Sequence, residues 1–180
     1  MGFPSRELTR VLDQGMVVGS TAFEFGCGTG HNACLLAERG FQVTAVDGAA
    51  LAIERARERA KNRGLEVEFL QADVCQLPDL GRRFDFIFDR GCFHCVRQND
   101  VAGYLRSVQL VTRPGSRFLL LTGNANEQRE GGPPRLHERE LRADLEQLFV
   151  IDDLHEFRFD DPAGPTGPLA WSCLMTRKAI

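Results

Sequence analysis

Apolar and polar positions along the chain change period repeatedly, from short continuous runs to helical spacing and back. Residues 22–25, 41–46, 67–70, 84–89 and 118–121 are apolar runs of four to six residues bounded by turn-forming residues. They are too short for helices and predict strands, with 41–46 of the continuous kind buried on both faces of a parallel sheet. Between them the apolar period lengthens. Leu8, Val11 and Leu12 mark a helix over 4–12, read as lying across one end of the sheet. Ala33, Leu36 and Ala37 mark one over 31–39 that stops at Gly40, and Ala52, Ala56 and Ala60 mark one over 49–63 that stops at Gly64. Val101, Leu105 and Val108 predict a helix over about 100–111, closed by Arg113-Pro114-Gly115, and 137–148 reads as the last helix. Two final runs, 149–154 extending toward Phe159 and 169–176, are joined by a Pro/Gly turn region over 161–168 without a helix, and so predict an antiparallel hairpin. The pattern is that of an α/β, doubly wound, seven-stranded, mostly parallel sheet with a C-terminal antiparallel hairpin. One long irregular segment, 122–135, contains Gly131-Gly132-Pro133-Pro134, and a loop of that length in a compact domain is more often functional than idle.

Composition narrows the classes of partner. A chain of 180 residues with 43% hydrophobic content supports one domain, 1–180, with residues 1–20 as an N-terminal helix and lead-in. A net charge of -3, from 22 basic and 25 acidic residues, leaves no electrostatic footprint for nucleic acid and no basic run for a membrane surface. The expected partner is a small molecule. The first residues carry no apolar leader, no stretch reaches the length of a membrane span, and the myristoylation pattern fails at Arg6. Cys27, Cys34, Cys75, Cys92, Cys95 and Cys173 are scattered through a well-supplied core, which suits free thiols in a reducing cytoplasm. Oligomeric state is not set by any of these features.

In open α/β sheets ligands bind beyond the C-terminal ends of the strands, at the switch point beside the first strand. Glu24-Phe25-Gly26-Cys27-Gly28-Thr29-Gly30, Asp47 with Gly48, Asp73 with Val74, Asp89 and the loop after Leu121 all fall on that edge. A nicotinamide-binding turn needs G-x-G-x-x-G; here the third glycine comes one residue early and His31 stands in its place, which disfavours an oxidoreductase. The E-x-G-x-G-x-G form, with an acid after strand two and Ala72-Asp73-Val74 after strand three, resembles the class I S-adenosylmethionine-dependent methyltransferases, and the resemblance covers nearly the whole chain. It implies a Rossmann-like fold and S-adenosylmethionine as cofactor, leaving as S-adenosylhomocysteine. It also implies roles: Glu24, Gly26, Cys27, Gly28 and Gly30 as the floor under the methionine end, Asp47 and Gly48 at the ribose, Asp73 at the adenine amino group and the Val74 amide at a ring nitrogen. Glycine lets backbone approach a ligand without a Cβ clash, and a carboxylate accepts both ribose hydroxyls.

The acceptor side rests on Asp89-Arg90-Gly91 and on Gly131-Gly132-Pro133-Pro134 before a helix. These resemble the thiopurine S-methyltransferase-like branch, whereas Cys27-Gly28-Thr29-Gly30-His31-Asn32 is similar to the tellurite-resistance type. Resemblance therefore points to a soft small nucleophile, first a thiol. Methylation of oxygen or nitrogen on a small aromatic, or a non-catalytic cofactor-binding or activating subunit, remain alternatives. Because a thiol is mostly protonated at neutral pH, a cation that favours thiolate helps, and Arg90 is the candidate. His94 is a candidate base, with a plain hydrogen-bonded histidine near a helix start as the other reading. Asp89 is read as touching the cofactor's amino group or the acceptor, or else as a strand-end cap or ion-pair partner of Arg90. Cys92-Phe93-His94-Cys95 lacks a second ligand pair, so no metal is expected, and the cysteines default to small buried hydrophobes.

Overall fold

The apolar runs all become strands of one sheet, with 67–70 at its edge and the other four inside it, and the periodic segments cover both its faces. The computed structural model describes residues 2–128, 130–160 and 166–179. The chain runs α1 (Arg6–Asp13), β1 (Thr21–Phe25), α2 (His31–Glu38), β2 (Gln42–Asp47), α3 (Ala50–Asn62), β3 (Val67–Gln71), β4 (Phe86–Arg90), α4 (Phe93–Val111), β5 (Arg117–Gly123), α5 (Glu138–Leu145), β6 (Phe149–Arg158) and β7 (Leu169–Arg177). Seven strands are ordered β3-β2-β1-β4-β5-β7-β6, all parallel except β7, which is antiparallel to both β5 and β6. The expected C-terminal hairpin is therefore present, with its second strand inserted next to β5. The turn region expected over 161–168 lies partly outside the described residues, since 161–165 are not among them.

Strand alternation divides the core in two. Phe23, Phe25, Ile87, Phe118 and Leu120 pack with Tyr104 and Val108 of α4 and with Leu141 and Leu145 of α5. Ala22, Phe86, Phe88, Leu119 and Leu121 face the other way, onto α1, α2 and α3 through Leu8, Val11, Leu36, Ile53 and Ala56. Helix α1 thus lies on a face of the sheet rather than across its end. Its Leu8 and Val11 are fully buried, and Glu7 accepts a hydrogen bond from the Ser172 hydroxyl of β7 at 2.8 Å. The apolar stripe of α1 needs a broad apolar partner, and the face over β4, β5 and β7 supplies one, whereas a sheet end exposes backbone.

Two boundaries moved for local reasons. Strand β4 opens at Phe86, not Phe84, because the Asp85 carboxylate takes the N–H groups of Ser20 and Thr21 and the Thr21 hydroxyl, replacing ladder bonds with side-chain ones. Helix α4 starts at Phe93, seven residues before the expected start, and is broken at Asp100, whose φ of -154 and ψ of 71 are not helical. Asp100 accepts the Gly103 N–H at 2.7 Å, so it caps the second helical segment, which is the one the periodicity marks. The first segment is capped from the end of β4 by Asp89, as described below.

Candidate active site

The C-terminal strand ends form the working edge. Parallel registry sets Phe25 against Val46 and Asp89, and Asp47 against Gln71, so the turns after β1, β2, β3 and β4 converge there. The Cys27 N–H donates to the Val46 carbonyl at 2.9 Å, tying the glycine turn to β2. Asp47 then orders both neighbouring loops: Oδ2 accepts the Gly28 N–H at 2.8 Å and Oδ1 the Ala49 N–H at 2.9 Å. Each oxygen keeps a second lone-pair site. Asp73 is exposed, and its Oδ1 accepts the Cys75 N–H at 2.8 Å, which holds the turn after β3. Gly26, Asp47, Gly48, Asp73, Val74 and Cys92 border a cleft of about 390 Å³.

The three turn glycines have different physical reasons. All are left-handed, with φ of 62, 53 and 78 at Gly26, Gly28 and Gly30. A Cβ on Gly26 would stand 2.5 Å from the Cys92 Cβ, and one on Gly30 would stand 2.9 Å from the Ala56 Cβ; both glycines serve packing of protein on protein. Around Gly28 there is open space, so there the missing side chain leaves room for a ligand.

Glu24 lies on the α1–α3 face of the sheet, 1% exposed. Its Oε1 accepts from Asn32 Nδ2 at 3.2 Å, and Asn32 Oδ1 in turn accepts the Ser5 N–H at 2.8 Å. Burial above all pushes the Glu24 carboxyl up to about 8, with the charges of Asp89 and Asp47 adding to it and the Asn32 bond opposing. Glu24 Oε2, Arg90 Nε and Ser5 Oγ are buried with no partner among the described residues. Arg90, on the same face of the adjacent strand, is lowered by burial and attracted by Asp160 and Glu24. A buried carboxyl oxygen and a buried guanidinium nitrogen on one face of adjacent strands, both unpartnered among the described residues, suit a ligand end that carries an ammonium and a carboxylate. The glycine turn, Asp47 and this polar pair together fit S-adenosylmethionine.

Asp89 is fully buried and fully engaged. Oδ1 accepts the Cys92 N–H at 2.9 Å, while Oδ2 accepts the Phe93 N–H at 3.0 Å and the Tyr104 hydroxyl at 2.6 Å. Burial raises it to about 6, against the lowering effect of these bonds. The geometry is that of a helix cap for α4, and it leaves little capacity for a ligand. Arg90 also sits differently from the sequence expectation: its guanidinium carbon lies 5.1 Å from the centre of the Phe159 ring, on the side of Glu24 and Asp160.

His94 follows in the first turn of α4, 4% exposed. The Gly123 N–H donates to its Nδ1 at 3.0 Å, and the Thr122 hydroxyl is 3.1 Å from the same nitrogen. Burial lowers the ring to about 4. His94 borders a second cavity of about 290 Å³ with Pro133, Pro134, Phe159, Pro168 and Leu169 among its walls, and Glu127, Glu130 and Arg135 also reach it. The Arg135 guanidinium donates to the carbonyls of Glu127 and Gly131, clipping the 122–135 loop into shape. Cys92 borders the first cleft and His94 the second, so the turn after β4 separates the two. The Cys92-Phe93-His94-Cys95 run does not converge: Phe93 is buried in the core, and the Cys95 thiol is exposed and directed at the Gly91 carbonyl. Among the described residues no group of three or more His, Cys, Asp or Glu could hold a metal ion.

Asn32, Gly123, Phe159 and Leu169 were not anticipated. Asn32 had a signal, since it follows Glu24 by eight residues within the turn-helix unit, and Gly123 lies in the 122–135 segment that the sequence marks; Phe159 and Leu169 reach the site from the C-terminal hairpin and carry no local mark.

A methyltransferase domain family matches residues 22–115 of this chain. The 2-heptyl-1-hydroxyquinolin-4(1H)-one methyltransferase of Mycobacteroides abscessus is 32% identical over 161 residues, covering 88% of this chain and 70% of that protein. A structure from work on the conversion of a disulfide bond into a thioacetal group during echinomycin biosynthesis superposes with a TM-score of 0.83 at 25% identity, covering 98% of this chain and 83% of that one. The 1,6-didemethyltoxoflavin-N1-methyltransferase of Burkholderia thailandensis, solved with 1,6-didemethyltoxoflavin and S-adenosylhomocysteine bound, superposes with a TM-score of 0.75 at 22% identity, covering 96% of this chain and 77% of that one.

Proposed function

This chain belongs to the methyltransferase domain family, and we propose that its acceptor is a small, flat heteroaromatic molecule methylated on the oxygen of a hydroxyl carried by the ring. The activity itself is S-adenosylmethionine-dependent methyl transfer. When bound, that cofactor supplies an electrophilic methyl group on a sulfonium. The work left to the protein is to align a nucleophile with it and keep water out. We assign Asp47 to the ribose hydroxyls, Asp73 and the Val74 amide to the adenine, and Glu24 with Arg90 to the charged amino-acid end. Arg90 thereby moves from the acceptor to the cofactor.

The observation that carries the acceptor reading is the second cavity. At about 290 Å³, with Pro133, Pro134, Phe159, Pro168 and Leu169 in its walls, it has the size and the largely apolar lining for a bicyclic ring rather than a peptide or nucleic acid. The relative from Mycobacteroides abscessus, named for a hydroxyquinolinone, supports a heteroaromatic acceptor with an oxygen nucleophile. Thiol methylation is the second reading, supported by the likeness to the echinomycin structure. Its physical ground is weaker here, because Arg90 does not border the cavity. A reducing compartment such as the cytoplasm accords with six free cysteines, and no helix among the described residues is long and apolar enough to cross a membrane.

The test is a matched panel of hydroxyquinolines, hydroxypyridines, their thiol analogues and alkyl thiols, incubated with S-adenosylmethionine and read by mass spectrometry. O-methyl heteroaromatic products are expected. Turnover confined to thiols would transfer the assignment to the second reading.

A further inference from the structure

Resting on the heteroaromatic reading above, we propose that His94 is a hydrogen-bond donor to the acceptor oxygen rather than a base, and that the acceptor therefore enters the cavity already deprotonated. A backbone N–H can only donate, and the Gly123 N–H points at Nδ1 from 3.0 Å. Nδ1 must therefore offer a lone pair, which places the ring proton of a neutral imidazole on Nε2. The Thr122 hydroxyl, 3.1 Å from the same nitrogen, adds a second polar contact there.

Nε2 has no hydrogen-bond partner among the described residues, and the ring borders the acceptor cavity. A Cβ on Gly91 would lie 3.8 Å from Nε2 and 3.6 Å from Cε1, so the glycine leaves that edge of the ring free of a side chain. The His94 Nε2–H thus stands among mostly apolar walls. A general base at Nε2 needs the opposite tautomer, with a proton on Nδ1 set head-on against the Gly123 N–H. Forming the imidazolium meets the same clash, and burial alone already lowers the ring to about 4. The remaining charged groups on the cavity are Glu127, Glu130 and Arg135. Glu127 accepts the Leu169 N–H at 2.7 Å and lies 3.4 Å from Arg158, and Arg135 is held by the Glu127 and Gly131 carbonyls. Glu130 is exposed at the rim.

A donor in this position fits an oxyanion. The acceptor oxygen forms the new O–CH3 bond with its own lone pair, the sulfur–methyl bond breaks with its pair passing to sulfur, and no proton moves to or from the protein. The chemical class that meets this requirement is a heteroaromatic ring hydroxyl or N-hydroxyl acidic enough to be ionised near neutral pH. Alkyl alcohols and simple phenols do not meet it. His94 is then a residue that sets specificity by acidity as well as by shape.

Two measurements test this. In ¹⁵N-histidine-labelled wild-type protein, the His94 ring is expected to show the Nε2–H pattern from pH 5.5 to 8 with no titration; an Nδ1–H pattern or a titration in that window overturns the donor assignment without any turnover being needed. Second, kinetics are compared for wild type, His94→Gln and His94→Asn on a series of hydroxy-heteroaromatics of graded acidity. Gln places an N–H near the Nε2 position and should keep acceptor KM within about threefold, whereas Asn does not reach it and should raise KM by roughly 10- to 100-fold, the usual worth of a hydrogen bond to a charged group. The rise of kcat/KM with pH should follow each acceptor's own ionisation. An acid limb common to all acceptors and abolished in His94→Gln overturns the proposal, whereas turnover of thiols alone defeats the acceptor reading and leaves the tautomer result to be judged separately.

Discussion

Glu24→Gln separates a titrating cofactor contact from a merely buried carboxyl. With its carboxyl pushed up to about 8 by burial, Glu24 is roughly nine-tenths protonated at pH 7 in the free protein. An ammonium arriving at the unpartnered Oε2 favours the carboxylate, so binding below pH 8 expels one proton. The ionised share grows about ninefold from pH 6 to pH 7, equivalent to about 1.3 kcal/mol of apparent binding free energy. A further rise of about fivefold to pH 8 is roughly halved because a ligand α-amino group begins to lose its own proton near 7.7 to 8.0. Affinity for S-adenosylmethionine should therefore climb about 20-fold between pH 6 and pH 8 and decline above it. Titration calorimetry at pH 6, 7, 8 and 9, in two buffers of different ionisation heat, reads both the affinity and a release of about one proton at pH 7. Glu24→Gln keeps an acceptor for the Asn32 amide and should bind weakly, with no pH slope and no proton release below pH 7. Stability carries the same signature. The folded value lies above the ordinary carboxyl value of 4.5, so stability is fullest below that value and is lost as pH rises from there to about 8, where the unfolded chain has already given up its proton. Glu24→Gln should flatten that slope in urea unfolding. A wild-type affinity that is flat from pH 6 to pH 8, or a Glu24→Gln variant with the wild-type slope, would refute the reasoning.

Asp47→Ala removes the acceptor for two backbone N–H groups, at Gly28 and Ala49, and with it the proposed ribose contact. Calorimetry should show S-adenosylmethionine affinity down by at least about tenfold, with acceptor KM little changed. The glycines should divide by cause. Gly30→Ala, with φ of 78 and a new methyl 2.9 Å from Ala56, should lose about 3 kcal/mol of stability by denaturant unfolding. Gly28→Ala, with φ of 53 and open space around it, should lose only about 1 to 2 kcal/mol yet weaken cofactor binding. Tyr104→Phe deletes the 2.6 Å bond to Asp89 and should cost about 1.5 to 3 kcal/mol of stability while kcat stays near the wild-type value. A large fall in kcat with stability intact would instead make Asp89 part of the chemistry.

Local signals carried much of this protein's architecture. Continuous apolar runs, 3.6-residue periods and glycine stops depend on neighbours only a few residues apart, so strand and helix identities, the parallel core and the C-terminal hairpin were legible in the chain. The convergence of Glu24 to Gly30, Asp47 and Asp73 on one sheet edge was legible for the same reason, since each follows a strand whose position comes from topology. Tertiary structure decided what those groups can do. Asp89 reads in sequence as a pocket acid, but the folding of α4 back onto β4 brings the Cys92 and Phe93 amides and the Tyr104 hydroxyl to it and uses up its oxygens. Arg90 reads as a cation for the acceptor, yet strand alternation turns it onto the face of Glu24, under Phe159. His94 reads as a possible base until a residue 29 positions away, Gly123, sets its tautomer. Protonation and hydrogen-bonding capacity depend on desolvation and on partners distant in sequence, and those exist only once β4 and β5 lie side by side.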